Sequence, residues 1–486
     1  MAEQAPPDSS GAAPPDGFDT RGLPMVSPPD PAALAEERAW LAENDAKPRL
    51  ARWAGYLRKG GPGYLQSALT LGGGSASASL FAGAAFGYQL LWVAPTAMLI
   101  GMVMMMAIAH QTLSTGMRPF EAMRSYAGVK FAYGWAIGAM LASIIWHFSQ
   151  YALASVLVTE IASQADITMS KGIGGGIVLA WALLSSQLFA SGSRGMLWFD
   201  RLLKILVWLI VLCFAFTVAR TGVDWGALAK GIIPFRVPAD AVDSVGATTS
   251  ALETIVAGLG AAVAINMVFL YPYTLLARGW GREHRRLARF DLFGGMFVPY
   301  ILATGLMIIA TANTIYGTDQ FVGKGFSPVQ AAKVLSSTLG EGLGTGIFLF
   351  GLLGMVMTTI TMHMVSAAFA ISEMAGLKFG SRGYRLALLV PTPGYLGAFF
   401  WSDMAFYIAI PTAMLTTALL PIAYVGFIKL QRSRAYLGAD MPTGRRGQAV
   451  LAAMVLGTLV MLVFVVIVLG PKLFQWFSDM TTTSAS

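Results

Sequence analysis

Two irregular stretches inside apolar segments are the residues of this sequence best suited to bind a solute. The first is Gly72-Gly73-Gly74-Ser75, in which each glycine weakens a helix by roughly 1 kcal/mol relative to alanine. The second is Tyr271-Pro272-Tyr273, in which Pro272 removes a helix hydrogen bond and predicts a helix break. Unwound backbone can bind a carboxylate or a monovalent cation, and tyrosines add aromatic walls with hydroxyl groups. We therefore expect these residues to bind a small carboxylate-bearing organic solute, such as an amino acid.

Two histidines, His147 and His363, also lie in apolar segments. Histidine titrates near neutral pH, so each is a candidate proton relay, although a polar group in a membrane often only bridges two helices. We find no nucleophile triad, no zinc-ligand spacing and no nucleotide-binding motif. The sequence is therefore expected to be neither an enzyme nor a protein that needs a cofactor or a bound metal.

The chain that carries these residues is too apolar for a soluble protein. Of its 486 residues, 56% are hydrophobic and only 12% are charged, whereas soluble domains carry about 25% charged residues. This composition excludes a soluble enzyme and a mainly disordered protein, and it indicates an integral membrane protein with many spans. The single cysteine, Cys213, excludes an intramolecular disulfide.

Eleven segments are long and apolar enough to span a bilayer, which takes about 20 residues. The ninth is interrupted by Pro391 and Pro393. The predicted spans are residues 64–89, 91–114, 131–160, 172–190, 198–219, 254–278, 289–313, 343–374, 384–401, 404–429 and 448–470.

The distribution of basic residues predicts the orientation of these spans. If the N-terminus is cytoplasmic, 24 of the 33 Lys and Arg residues lie on the cytoplasmic side and 7 on the other. Basic residues concentrate in cytoplasmic loops. We therefore expect a multi-pass protein of the plasma (inner) membrane with an external C-terminus. The net charge of +8 then reports topology, and no nucleic-acid partner is expected.

The two irregular stretches fall in the first span of each of two five-span halves. Interrupted helices at corresponding places in two halves are typical of transporters with inverted repeats and a binding site at the middle of the membrane. The predicted organisation is a disordered Pro-rich tail (1–31), an amphipathic cytoplasmic helix (32–60), a first repeat (61–219), an external loop (220–250), a second repeat (251–430), and a loop with the eleventh span and the external C-terminus (431–486).

Several motifs resemble the natural resistance-associated macrophage protein (Nramp) family of divalent-metal transporters. The resemblance covers roughly residues 60–470 and implies an all-α LeuT-type fold: an inverted repeat of five plus five helices, an eleventh helix, and broken helices 1 and 6. The matching motifs are Gly61-Pro62-Gly63-Tyr64-Leu65, Gly87-Tyr88-Gln89-Leu90-Leu91-Trp92-Val93, the segment 113–121, Gly351-Leu352-Leu353 and Leu420-Pro421.

The chain departs from this family at the metal-binding motifs. The family has Asp-Pro-Gly-Asn where this chain has Gly72-Gly73-Gly74-Ser75, and we match its Met-Pro-His to Tyr271-Pro272-Tyr273. No carboxylate remains at mid-membrane to neutralise a dication, whereas metal sites use carboxylate, imidazole or sulfur ligands. The resemblance therefore implies the fold of this family, whereas the substrate is expected to differ from a divalent metal.

The resemblance also implies a candidate sodium site. In LeuT-fold sodium symporters, hydroxyls of span 8 help to bind sodium, and Thr358 and Thr359 could do so here, although threonines often bond their own helix. We predict a secondary active transporter with alternating access, in which H⁺ or Na⁺ drives a small organic solute across the lipid membrane. The alternatives are a divergent divalent-metal transporter for Mg²⁺ or Mn²⁺ and a sensor that does not transport.

Overall fold

The computed structural model of the chain describes residues 31–189, 205, 208, 211–212, 214–244, 246–339 and 343–483. The regular structure of these residues is helical apart from one antiparallel pair of strands, β1 (Ala241–Val242) and β2 (Thr248–Thr249). Almost all of the predicted disordered tail (1–31), most of the predicted fifth span (198–219) and Cys213 lie outside the described residues.

The helices are numbered here in chain order. Those that precede β1 are α1 (Pro31–Ala46), α2 (Arg49–Lys59), α3 (Pro62–Thr70), α4 (Gly73–Phe86), α5 (Val93–Thr115), α6 (Pro119–Ala122), α7 (Val129–Ser163), α8 (Lys171–Phe189) and α9 (Trp225–Gly231). Those that follow β2 are α10 (Ala251–Ala262), α11 (Ile265–Ala277), α12 (Arg285–Leu292), α13 (Val298–Thr314), α14 (Pro328–Leu339), α15 (Leu343–Ala375), α16 (Arg382–Ala387), α17 (Gly397–Phe400), α18 (Ala409–Thr417), α19 (Leu420–Gln431), α20 (Arg434–Leu437) and α21 (Gly444–Thr483).

Eight helical segments of the described residues are long and apolar enough to cross a membrane. They correspond to the predicted spans 2, 3, 4, 6, 7, 8, 10 and 11. The predicted first span consists of the two shorter helices α3 and α4. The most extensive helix pair is α7 with α15, followed by α4 with α13. The first half of the chain is thus packed directly against the second.

Two predicted helices are interrupted at prolines. The predicted helix over residues 32–60 is two helices, α1 and α2, because Pro48 disfavours helical backbone at the residue before it. The predicted ninth span (384–401) is divided into α16, a 3₁₀ turn over Thr392–Leu396 and α17. Pro391 and Pro393 account for this division, since neither can donate a helix hydrogen bond.

The first predicted break is confirmed, and the second lies elsewhere. Helix α3 ends at Thr70 and α4 starts at Gly73, so that Leu71 and Gly72 are the unwound residues. The prediction of a break at Pro272 is wrong, because Pro272 lies inside the continuous helix α11. The chain unwinds instead at Val263 and Ala264, between α10 and α11, where both residues are extended.

Tertiary packing accounts for this second break. A Cβ added at Gly260 would overlap the Thr417 hydroxyl of α18, and one added at Gly101 of α5 would overlap Val263. The end of α10 is therefore held closely between two neighbouring helices. Pro272 is tolerated because side chains and neighbouring helices can compensate for a lost backbone bond in a membrane helix.

Candidate functional site

A small buried cavity lies between the two breaks. Its volume is about 20 Å³, which is enough for about one water molecule. Five helices supply the lining: α3, α4, α7, α11 and α15, with the end of α10. The lining residues are Leu69, Thr70, Gly72, Gly74, Ser75, Trp146, Gln150, Ala261, Ala264, Asn266, Met267, Thr359 and His363.

The first break reaches this cavity because its glycines have no side chains. A Cβ added at Gly72 would overlap the Thr359 hydroxyl, and one added at Gly74 would overlap the Trp146 ring. The Ser75 hydroxyl donates to the carbonyl oxygens of Thr70 at 2.5 Å and Gly72 at 3.1 Å, which fixes the unwound turn. Gly72, Gly74 and Ser75 thus line the cavity as the sequence suggested.

Gly73 has a different role from its neighbours. It is not a lining residue, and a Cβ at this residue would meet Gln150 of α7 and Val356 of α15. Gly73 therefore allows close helix packing.

The second break contributes residues that our motif comparison did not select. Asn266 and Met267 line the cavity in the first turn of α11. The Asn266 side-chain oxygen accepts from the Met267 N–H at 3.0 Å, and its backbone carbonyl accepts from the Ser366 hydroxyl at 3.3 Å. The Met267 sulfur accepts from the Thr70 hydroxyl at 3.3 Å, so this contact joins the two breaks.

Tyr271 and Tyr273 are fully buried but are absent from the cavity lining. Tyr273 lies beyond the cavity, where its hydroxyl accepts from the Phe120 N–H at 3.0 Å. The guanidinium of Arg118 lies 6.0 Å from its ring centroid. Tyr273 thus contacts the segment at the start of α6. The break lies at Val263 and Ala264, eight to nine residues before Pro272, which places both tyrosines away from the lining.

The two histidines are neighbours, and only one of them faces the cavity. His363 lines it, and its ring centroid lies 5.8 Å from that of His147. His147 Nε2 is 3.1 Å from the carbonyl oxygen of Ile360. His363 Nδ1 has no hydrogen-bond partner among the described residues. The two rings are thus close to each other, and His363 is the one beside the cavity.

Thr358 and Thr359 bond their own helix. Their hydroxyls donate to the same carbonyl oxygen, that of Met355, at 2.8 Å and 2.7 Å. Only Thr359 lines the cavity. Its oxygen keeps lone pairs that can accept from a solute or bind a cation, whereas Thr358 is withdrawn from the site.

The cavity lining is electrically neutral unless His363 is protonated. It offers hydroxyls, two amides, a thioether, an imidazole and backbone groups. In the part of the chain that the structure describes, no group of three or more His, Cys, Asp or Glu residues is arranged to hold a metal ion.

Charges gather instead towards the ends of the helices. Arg118 and Glu373 form an ion pair in which the Glu373 side chain is only 4% exposed. Arg282 and Arg285 lie 2.7 and 2.8 Å from the Asp440 carboxylate, and the hydrogen bond from Arg285 keeps the pKa of Asp440 below its usual value. Both clusters lie on the side of the basic loops.

Two further cavities lead from the site towards the opposite side. The first shares Ser75 and Ala261 with the central cavity, and the second shares Thr254 with the first. The outermost has a volume of about 180 Å³ and is lined by Glu253 and Lys324 among others. A discontinuous series of cavities therefore runs along α4 and α10.

A many-spanning helical protein with two broken helices around one buried cavity has the architecture of a LeuT-type secondary transporter. The family model described as "Natural resistance-associated macrophage protein-like" matches residues 63–469. The chain therefore belongs to the Nramp family of membrane transporters. The expected fold class is confirmed as an all-α membrane protein with the LeuT-type fold, and helices 1 and 6 are broken in the part of the chain that the structure describes.

Relatives and solved structures agree with this assignment. The divalent metal cation transporter MntH of Mycobacterium leprae (strain TN) is 24% identical over 391 residues, which cover 78% of this chain and 85% of the relative. A manganese transporter of Eremococcus coleocola matches with a TM-score of 0.67 at 16% identity and covers 91% of this chain and 90% of its own. Mhp1, a nucleobase-cation-symport-1 transporter, matches at 0.55 and 14% identity, over 86% and 92% of the two chains.

Proposed function

We propose that this Nramp-family transporter moves a small organic solute, neutral or zwitterionic, by alternating access. The neutral donor set of the cavity carries this proposal. A dication moved from water into this site would meet hydroxyls, amides, one thioether and the imidazole of His363, none of which carries a negative charge to compensate its own. An amino acid or another small zwitterion would meet the unwound backbone at Gly72 and the amide of Asn266.

A cavity of about 20 Å³ must widen before such a solute fits. The helix ends at the breaks are the places where widening costs least, since their backbone is already unwound. In this proposal, solute enters from the side opposite the basic loops, along the path past Ser79 and Thr254. The Arg118–Glu373 ion pair separates when the other side opens.

A proton is the coupling ion that the site supports best. His363 faces the cavity and His147 lies behind it, so protonation at the cavity can be passed between the two rings. Sodium remains the alternative, since the Thr359 oxygen lies beside the unwound Gly72. Uptake into proteoliposomes under a pH gradient, compared with a sodium gradient, distinguishes the two ions. Proton coupling requires that His363→Gln abolish the response to the pH gradient while counterflow of solute persists.

Transport of a divalent metal is the second candidate. Met267 and His363 place a sulfur and a nitrogen ligand in one ion-sized cavity, and both atoms are ligands of transition metals. The relatives named above are metal transporters by name. With no carboxylate in the lining, this site would favour a softer ion over Mg²⁺.

One experiment separates these candidates. The unfolding temperature of the purified protein is measured with Mn²⁺, Mg²⁺ and other divalent ions, and then with amino acids and small carboxylates, because a ligand stabilises the state that binds it. Stabilisation by an organic solute that is lost in Asn266→Ala supports the first proposal. Stabilisation by a metal alone, lost in Met267→Ala, replaces it with the second. A protein that neither group stabilises and that transports none of them would be a sensor.

The proposal places the protein in the plasma (inner) membrane with the basic loops and the N-terminus in the cytoplasm. Cysteine accessibility tests this orientation. In a Cys213→Ser background, a cysteine at Asp319 should react with a membrane-impermeant reagent added outside intact cells. A cysteine at Arg446 should react only after the membrane is opened. The reverse pattern would overturn the orientation.

A further inference from the structure

We infer that α2 lies in the membrane–water interface on the side of the basic loops, where it binds anionic lipid headgroups. The helix leaves an apolar stripe uncovered: Leu50 is 78% exposed, Trp53 39% and Leu57 55%. These residues follow the spacing i, i+3, i+7, so they lie on one face of the helix. A stripe of this kind on a helix outside the spans is suited to the headgroup–acyl boundary of a bilayer.

The charge of α2 selects the kind of lipid. Its eleven residues contain Arg49, Arg52, Arg58 and Lys59 and no acidic residue. At 3.6 residues per turn, Arg49 and Arg58 fall on opposite sides of the stripe that starts at Leu50. The Arg49 guanidinium lies 4.9 Å from the Trp53 ring centroid, at the edge of the apolar surface. Basic residues that flank an apolar stripe complement anionic headgroups.

The protein itself holds α2 at the level of the bilayer surface. Tyr56, on another face of α2, is 1% exposed and packs on Phe290 of α12 with ring centroids 5.3 Å apart. Its hydroxyl donates to Asp45 of α1. Burial and this hydrogen bond raise the pKa of Tyr56 to about 12, so the hydroxyl stays a donor.

The stripe is continuous with a surface that faces lipid. A Cβ added at Gly294 would lie 3.8 Å from Leu57, and the adjacent Phe293 is 52% exposed within the candidate membrane span Arg282–Thr314. Helix α12, which Tyr56 of α2 packs against, also contacts the first broken helix. Asp291 accepts from the N–H groups of Gly61 at 2.8 Å and Gly63 at 2.6 Å, where α3 begins. Lipid bound to α2 would therefore brace the segment that leads into the first break.

Depth measurements on the full-length protein test the inference. Single cysteines replace Leu57 or, as a matched control, Glu43 of α1, whose side chain is 71% exposed, both in a Cys213→Ser background. Each is labelled with a fluorophore and reconstituted in vesicles of phosphatidylcholine alone or with phosphatidylglycerol. Nitroxide-bearing lipids should quench the label at residue 57 and spare the one at residue 43, and the quenching should increase with phosphatidylglycerol.

Charge variants separate lipid recognition from simple burial. Arg49→Gln and Arg58→Gln should each lower the ratio of immersed to exposed label roughly fivefold in anionic vesicles, with no change in phosphatidylcholine. Equal quenching in both lipids would overturn the recognition of anionic headgroups. Quenching of residue 57 by aqueous iodide but not by lipid would overturn the interfacial placement. Both readouts are independent of the transported substrate, so neither depends on the proposed function.

Discussion

The two broken helices unwind at the same cavity, but their residues differ in kind. At the first break, Gly72 and Gly74 let backbone approach Thr359 and Trp146 more closely than any side chain would allow. At the second, Val263 and Ala264 are extended without a glycine or proline at either residue. The local sequence accounts for the first break, whereas packing by neighbouring helices accounts for the second.

The inner halves of the two helices are also held differently. The start of α3 is tied to a single buried carboxylate, that of Asp291, by two hydrogen bonds. The end of α11 is tied through Tyr273 to the N–H of Phe120, beside the Arg118–Glu373 ion pair. A transporter that opens towards this side has to move these anchors.

The largest effect is expected from adding one carbon at the first break. Gly72→Ala places a Cβ against the Thr359 hydroxyl, and overpacking of this kind costs about 1–3 kcal/mol. If this cost falls on the transporting state, transport should decrease roughly fivefold to 150-fold. Gly72→Ala combined with Thr359→Ala should recover part of the loss in a vesicle uptake assay. Gly305→Ala is the control, since nothing lies within 4 Å of its added Cβ. An active Gly72→Ala protein would remove close approach as the reason for the glycine.

A smaller effect is expected at the anchor of α3. Asp291→Asn replaces one of two accepting oxygens with an N–H donor, and hydrogen bonds to a charged group contribute about 1.5–3 kcal/mol. We expect the free energy of unfolding to fall by about 2 kcal/mol, measured by denaturation in detergent. Asp224→Asn is the matched control, because Asp224 caps α9 and asparagine caps a helix equally well. If the free energy of unfolding fell equally in both variants, the two hydrogen bonds of Asp291 would stabilise the protein no more than the helix cap at Asp224 does.

The same comparison explains how far the sequence could predict this protein. Composition, span length and basic loops predicted most of the membrane helices, and the three glycines marked the first break, because these signals are local. Pro272 misled the second prediction, since a membrane helix tolerates proline. Met267 was missed because nothing local distinguishes it from a core residue, and Asn266 was missed because the motif comparison was centred on Pro272. A buried amide in an apolar span was the one available signal, and the contact of Gly260 with Thr417 could not be read from either residue alone.

At the second break, Asn266→Ala tests whether residues missed by motif comparison form the site. The amide Nδ2 of Asn266 has no hydrogen-bond partner among the described residues, so it is available to a solute. Loss of one hydrogen bond should weaken solute binding about threefold to tenfold. The measurement is the thermal stabilisation by an organic solute that stabilises the original protein. Tyr271→Phe is the control, because the Tyr271 side chain is buried outside the cavity lining. If binding became weaker in Tyr271→Phe and not in Asn266→Ala, the solute would bind at the motif around Pro272.

The smallest effect is expected from Pro272→Ala. Because Pro272 lies within the continuous helix α11, alanine can restore the missing backbone hydrogen bond without changing the unwound residues. Transport should stay within about twofold of the original protein, and stability should change by less than about 1 kcal/mol. If Pro272→Ala instead abolished transport while Gly305→Ala did not, a kink at Pro272 would be needed during opening. Opening would then depend on glycine in the first half of the chain and on proline in the second.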